Sequence, residues 1–326
     1  MWQNTAMPGP LLLLGPQRPS PNLSSALERV GGDGPVVTIT AGWRLDECEL
    51  AALHAAIGPD AQNLPLYEWF EEAMVQMPDT RAMYKERQGQ LKRLKRVYRE
   101  RMHRALDAVR ALMVDRDNSP EILAPQLDWA LDDVRRIDQQ FIDQSRAIVQ
   151  AYPEVGRPWE LEAVAERRAQ SAALLSSARA VVIAGGHVAV LRNRMMFFGV
   201  HQQLFQAWAQ QTGVVAWGAG AMLLTDRIVL FYDDPPDGPS HPEILDTGLA
   251  LLQDTVLLPD ASKRLRLDEE LRVALLAGRF QPDIAVGMEN GAWLEVEHGK
   301  LVQRGTPGSA VVLQADGRVV PLEDVS

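Results

Sequence analysis

Residues 213–224 read GVVAWGAGAMLL: a β-branched run enters Gly218-Ala219-Gly220-Ala221, and an apolar run of helical character leaves. This is the pattern of a strand that turns sharply into a helix. Such a turn requires small residues on both sides, because the residue at its tip is strained and projects away from the sheet. In a hydrolase the tip is Ser or Cys, but here it is Gly218.

Outward from this turn, residues 180–184, 227–232, 255–258 and 284–287 read as further strands, with helical stretches between most of them. The C-terminal runs 292–297, 301–304, 310–314 and 319–322 read as short antiparallel strands, joined by turns such as Glu297-His298-Gly299-Lys300 and Ala315-Asp316-Gly317-Arg318. Toward the N-terminus, residues 11–14, 23–30 and 35–43 form a strand, helix, strand opening, and a helix over 49–57 stops at Gly58-Pro59.

Between residues 64 and 177 the strand-like runs disappear. Leu91, Leu94, Tyr98, Met102, Ala105, Val109 and Leu112 form one apolar stripe, and Leu127, Leu131, Val134, Ile137, Phe141 and Ile148 form another. Asp117-Asn118-Ser119-Pro120 separates them, which predicts a long helical hairpin, and a third helix over 159–176 leads back to the sheet. The expected fold class is α/β: a mostly parallel sheet flanked by helices, with a large all-helical insertion and C-terminal β-hairpins. Residues 1–63 and 178–326 build the sandwich, and residues 64–177 form a helical arm expected to project from it.

The chain has 326 residues, is 46% apolar and 23% charged, and carries a formal net charge of −10, a balance that excludes overall disorder and argues against nucleic acid as the main partner. Its one cysteine, Cys48, excludes an intrachain disulfide and any CxxC site. Met1 to Pro10 has no basic n-region and no run long enough for a signal or a membrane span, so a cytoplasmic protein without membrane attachment is expected.

At the turn the chain resembles the cyanophycinase and dipeptidase E family of serine peptidases, which has the class I glutamine amidotransferase-like fold. That family's elbow reads G-x-S-A-G-A, and residues 216–221 read AWGAGA, matching at Ala219, Gly220 and Ala221. The family's AGG-N/H turn is matched by Ala184-Gly185-Gly186-His187. Its strand ending in P-H is matched by Leu258-Pro259-Asp260, and its G-I-D-E-x-T-A segment by residues 287–293. The resemblance covers roughly residues 10–58 and 178–322. It implies that the nucleophile position falls on Gly218, the general base on Asp260 and the orienting carboxylate on Asn290, or on Glu289 if the register slips by one. Glycine has no side chain to acylate, so the resemblance implies a lost triad. It also implies that an oxyanion-hole-like pocket persists around Gly185, Gly186, His187, Ala219 and Glu289.

Simpler roles compete for each of these residues. The glycines serve the strand turns whether or not a ligand binds, and His187 either lines the pocket or caps its turn. Asp260, Glu289 and His241 could gather at one mouth, but their spacing follows no metal motif, so neither a metal nor another cofactor is expected. Cys48 reads as an inert thiol. Lys85, Arg87, Lys92, Arg93, Lys95, Arg96, Arg99, Arg101 and Arg104 make the first arm helix basic. Asp128, Asp132, Asp133, Asp138 and Asp143 on the next helix are expected to neutralise it within the hairpin or across a dimer, the alternative being polyanion binding.

The sequence reading is therefore a catalytically inactive homologue acting in binding or assembly, with a small amino-acid-like ligand, a homodimer, or a protein partner on the arm. The alternatives are a hydrolase using other groups, such as water activated by Asp260 or Glu289, and a polyanion-binding module.

Overall fold

The computed structural model describes residues 7–58, 61–232, 241–297 and 299–325. Residues 1–6, Pro59 after the second helix and His298 in the expected hairpin turn lie outside the described residues. The chain opens with β1 (Leu11–Leu14), α1 (Leu23–Val30), β2 (Val36–Ile39), α2 (Ala51–Ile57) and β3 (Ala61–Leu64). It continues through α3 (Leu66–Gln76), α4 (Pro78–Val114), α5 (Pro120–Gln150), the single turn α6 (Pro153–Gly156) and α7 (Glu162–Ser177). Then follow β4 (Ala180–Ile183), α8 (Val188–Phe197), α9 (Val200–Ala209), β5 (Gly213–Trp217), α10 (Ala219–Leu224), β6 (Arg227–Leu230) and β7 (Glu243–Thr247). The last elements are β8 (Thr255–Pro259), α11 (Ala261–Arg264), α12 (Glu270–Phe280), β9 (Ile284–Met288), β10 (Trp293–Glu297), β11 (Lys300–Gln303), β12 (Ala310–Leu313) and β13 (Val319–Pro321).

The main sheet has the order β11-β10-β1-β5-β4-β2-β3. The run from β1 to β3 is parallel, and β10 joins β1 antiparallel. This is the α/β class expected from the sequence. Alternate residues of these strands enter opposite layers, as the period of two in a strand requires. Leu12, Leu14, Val36, Val182 and Val215 pack against Leu23, Leu27 and Leu53 of α1 and α2, while Leu11, Leu13, Val37, Ile39, Val181 and Val214 join the larger core on the other face.

Three features differ from the sequence reading. β3 and β7 are strands that the composition of residues 61–64 and 243–247 does not announce, since both are polar and only half covered. The C-terminal strands divide between sheets: β10 and β11 complete the main one, whereas β8, β9, β12 and β13 form a second in the order β13-β12-β9-β8. The hairpin of β10 and β11 occupies the main sheet's edge beside β1, which leaves the other strands to pair among themselves.

The third difference concerns the arm. It is helical as expected, but it does not project: Tyr98, Met102, Leu106, Val109, Val134, Ile137 and Phe141 belong to the same buried cluster as the sheet. Within the hairpin, the charge matching expected between α4 and α5 is not made among the described residues. Asp132, Asp133 and Asp143 pair one turn along their own helix with Arg135, Arg136 and Arg146, the nearest partners a helical surface offers. Lys95 and Arg99 of α4 instead reach Glu243 of β7 at 3.1 and 2.7 Å. No described helix is long and apolar enough to cross a membrane.

A buried polar knot fastens the arm. Arg279 of α12, fully buried, donates from Nε to Asp138 Oδ2 at 2.8 Å and from Nη2 to Asp138 Oδ1 at 2.7 Å. Tyr98 Oη donates to Asp138 Oδ1 at 2.7 Å and accepts from the Ile244 N–H at 3.0 Å. Removing one member of a buried ion pair strands the other charge, which costs about 3–5 kcal/mol. Asp138→Ala is therefore expected to lower the urea-unfolding free energy by about that amount. Arg279→Met added to Asp138→Ala should recover part of the loss; an unchanged unfolding midpoint in Asp138→Ala would rule out the knot as the arm's fastening.

Candidate functional site

Gly218 ends β5 with φ 55° and ψ −123°, a backbone conformation open to glycine and strained for other residues. It is the sharp tip read from the sequence. A Cβ built there would meet only Gly185 Cα, at an ordinary 3.5 Å, so a side chain at this position has room. Two residues on, a Cβ at Gly220 would lie 2.3 Å from the Ile183 carbonyl oxygen, so α10 can rest on the end of β4 only because residue 220 has none.

The parallel strands end on one edge, where a cavity of about 750 Å³ opens, within the size range of small-molecule sites. Pro16 to Pro19 follow β1, Trp43 follows β2, Gly185 and Gly186 follow β4, Gly218 follows β5 and Asp260 follows β8; all line it. Leu23, Leu53 and Ala56 form one apolar wall, and Val188, Met222, Leu230, Phe231 and Tyr232 contribute to the rest. Arg18 and Arg264 are its cationic side chains, and the Arg264 guanidinium lies 5.1 Å from the Tyr232 ring centroid. Among the described residues, no Ser, Thr, Cys, Lys or His lines it.

The residues read from the sequence are only partly brought together here. Gly185, Gly186, Gly218, Ala219 and Asp260 line the cavity; His187, Glu289 and Asn290 do not. His187 Nδ1 accepts from the Val190 N–H at 3.3 Å and so caps α8. Glu289 accepts from the backbone N–H and the hydroxyl of Ser262, at 2.7 and 2.6 Å, holding the first turn of α11. Asn290 Nδ2 donates to the Pro16 carbonyl at 3.0 Å. Asp260 is in the left-handed region at φ 62° and pairs with Lys263 at 3.0 Å. Among the described residues, the N–H groups of Gly186 and Ala219 donate to no backbone carbonyl.

His241, like Glu289, does not join Asp260 at this mouth. It precedes β7, which pairs with β6, and its ring lies against Arg110 of α4. Cys48 is exposed, and desolvation of its sulfur together with the neighbouring Glu68 carboxylate pushes the thiol up to about 11. The aromatic and cationic wall was missed. Trp43, in the turn just past β2, and Trp217, at the end of β5, were the available signal.

No family model matches the sequence, and no curated protein matches it. Among solved structures, one similar in overall course is a peptidase from an acI-B1 Actinobacterium, 12% identical, covering 97% of this chain and 98% of that one with a TM-score of 0.49. Another is a putative peptidase E protein from Listeria monocytogenes EGD-e, 8% identical, covering 92% and 99% with a TM-score of 0.43.

The Trp43 wall is held by an unusual support. Arg44, directly after it, has φ 64° and ψ −120°, close to Gly218's values, and such strain costs a side-chain-bearing residue about 1–3 kcal/mol. Three residues on, the fully buried Glu47 accepts from the N–H groups of Tyr67 and Glu68, both at 2.9 Å, tying this loop to the start of α3. Burial outweighs those two donors and pushes its carboxyl up to about 7. The unfolded chain ionises this group near its ordinary value while the folded chain still holds the proton, so stability falls as pH rises from about 4.5 to about 7 and levels above that. The fall attributable to Glu47 is on the order of 3 kcal/mol. Urea unfolding at about pH 5 and about pH 8 should show a smaller difference in Glu47→Gln than in the parent chain; equal differences would contradict the assignment.

Proposed function

We propose that the chain is a non-hydrolytic binding protein on the scaffold of the serine peptidases it resembles, taking a small amino-acid-like or acyl-amide ligand in the cavity beside Gly218. The observation that carries this reading is the backbone of Gly218: the tip keeps the strained elbow geometry and the space for a side chain, and has no nucleophile in it. The remaining triad-equivalent groups are engaged elsewhere, with Asp260 on Lys263 and Asn290 on Pro16.

Binding is supported by what the cavity keeps. The Gly186 and Ala219 N–H groups can donate to a carboxylate or amide oxygen. Trp43, Trp217, Met222 and Phe231 offer apolar surface to the body of a ligand. Placement at the carboxyl ends of parallel strands is where open α/β sheets bind their ligands.

The purified protein is expected not to hydrolyse aspartyl or β-aspartyl dipeptides and not to react with serine-directed probes. Gly218→Ser should remain inactive, because among the described residues no histidine lines the cavity to take the hydroxyl proton. A panel of amino acids and acyl-amides should contain members that raise Tm, and Gly218→Leu should abolish that rise by filling the hollow. Turnover lost on Asp260→Asn would overturn the reading in favour of a hydrolase, and a flat Tm across the panel would remove the ligand from it.

A further inference from the structure

A second constellation lies on α4, among residues other than those lining the cavity beside Gly218. His103 and Asp107 stand one helical turn apart on α4, with His103 Nε2 and Asp107 Oδ2 3.5 Å from each other. The ring of His241, from the segment before β7, has its centroid 5.0 Å from that of His103. One ligating atom of each residue lies within 4.8 Å of the others, and among the described residues this is the one such convergence of three.

We propose that His103, Asp107 and His241 form a binding site for a divalent transition-metal ion of the zinc class. Four ligands at about 2.0–2.1 Å in a tetrahedron stand about 3.4 Å from one another, which is the separation His103 and Asp107 already show. His241 closes the remaining gap by a rotation of exposed partners, since His103 and Asp107 are each more than half exposed and face solvent. Two imidazoles and one carboxylate select zinc, nickel or cobalt over magnesium or calcium, which favour sets made of oxygen alone. Three protein ligands leave a fourth position for water.

Arg110 sets the terms of entry. Its guanidinium nitrogens face both ring nitrogens of His241, at 2.8 and 3.1 Å, and Asp107 Oδ1 at 3.5 Å. A neutral imidazole has one accepting nitrogen, so only one of those two ring contacts is a hydrogen bond. Arg110 and His241 also make further contacts, so metal entry is an exchange of partners and its affinity is moderate. The bound ion would join α4 of the arm to the chain entering β7, two elements already linked through Lys95, Arg99 and Glu243. Binding to the folded state alone raises its stability by mass action.

The test uses the untagged full chain, stripped with chelator and titrated calorimetrically with zinc chloride and, separately, magnesium chloride. One zinc per chain with a micromolar Kd, a zinc-dependent rise in Tm and no response to magnesium are expected. His103→Ala and Asp107→Ala alter exposed side chains and should melt as the parent does without metal, yet each should weaken zinc binding by about tenfold or more. His241→Ala should abolish it. No stoichiometric binding to the parent chain, or an affinity unchanged in the His103→Ala/Asp107→Ala double variant, would overturn the site.

Discussion

The geometry at the head of the molecule depends on one close approach, that of α10 to the end of β4 at Gly220. With no Cβ there, the helix leaves β5 at once, and the reversal has to be absorbed at Gly218 in a conformation only glycine adopts without strain. That turn places the first amides of α10 beside Gly185 and Gly186, and the strands on either side then open the cavity between their loops. A fold that must turn here keeps the hollow whether or not chemistry is done in it. A side chain at residue 218 would be an addition to this turn, and glycine leaves the backbone arrangement complete without one.

The arm obeys a different constraint. Long helices with apolar stripes could associate with each other alone, but the knot of Tyr98, Asp138 and Arg279 draws α4 and α5 onto α12 and β7. A buried guanidinium is tolerated only when its donors are satisfied, and Asp138, Tyr98 and the Pro242 carbonyl do so together. Besides Tyr98, α4 reaches β7 with Lys95 and Arg99, cations that composition alone would assign to a solvated or polyanion-binding face.

Much of this was legible in the chain. The run of residues 214–217 into the four small residues Gly218 to Ala221 identified the turn at Gly218, and the alternation of strand and helix around it identified a parallel sheet, because both rest on local backbone preference and period. The apolar stripes through Tyr98, Met102 and Val109 and through Val134, Ile137 and Phe141 identified the helices. Glycine at 218 likewise decided, from sequence alone, that no acyl-enzyme can form there.

Tertiary structure decided what those elements meet. Glu289 on Ser262 and Asn290 on Pro16 are engagements set by loops that converge only after folding, and no spacing encodes them, whereas the cap of His187 on Val190 is local, three residues apart. The pairing of Asp138 with Arg279 spans 141 positions, and His241 lies beside His103 and Asp107 only because β7 is brought against α4. Local sequence sets which residues form a strand or a helix through propensity and period. Which polar side chains share a site is set by long-range packing, where burial and the completion of hydrogen bonds select among partners distant in the chain.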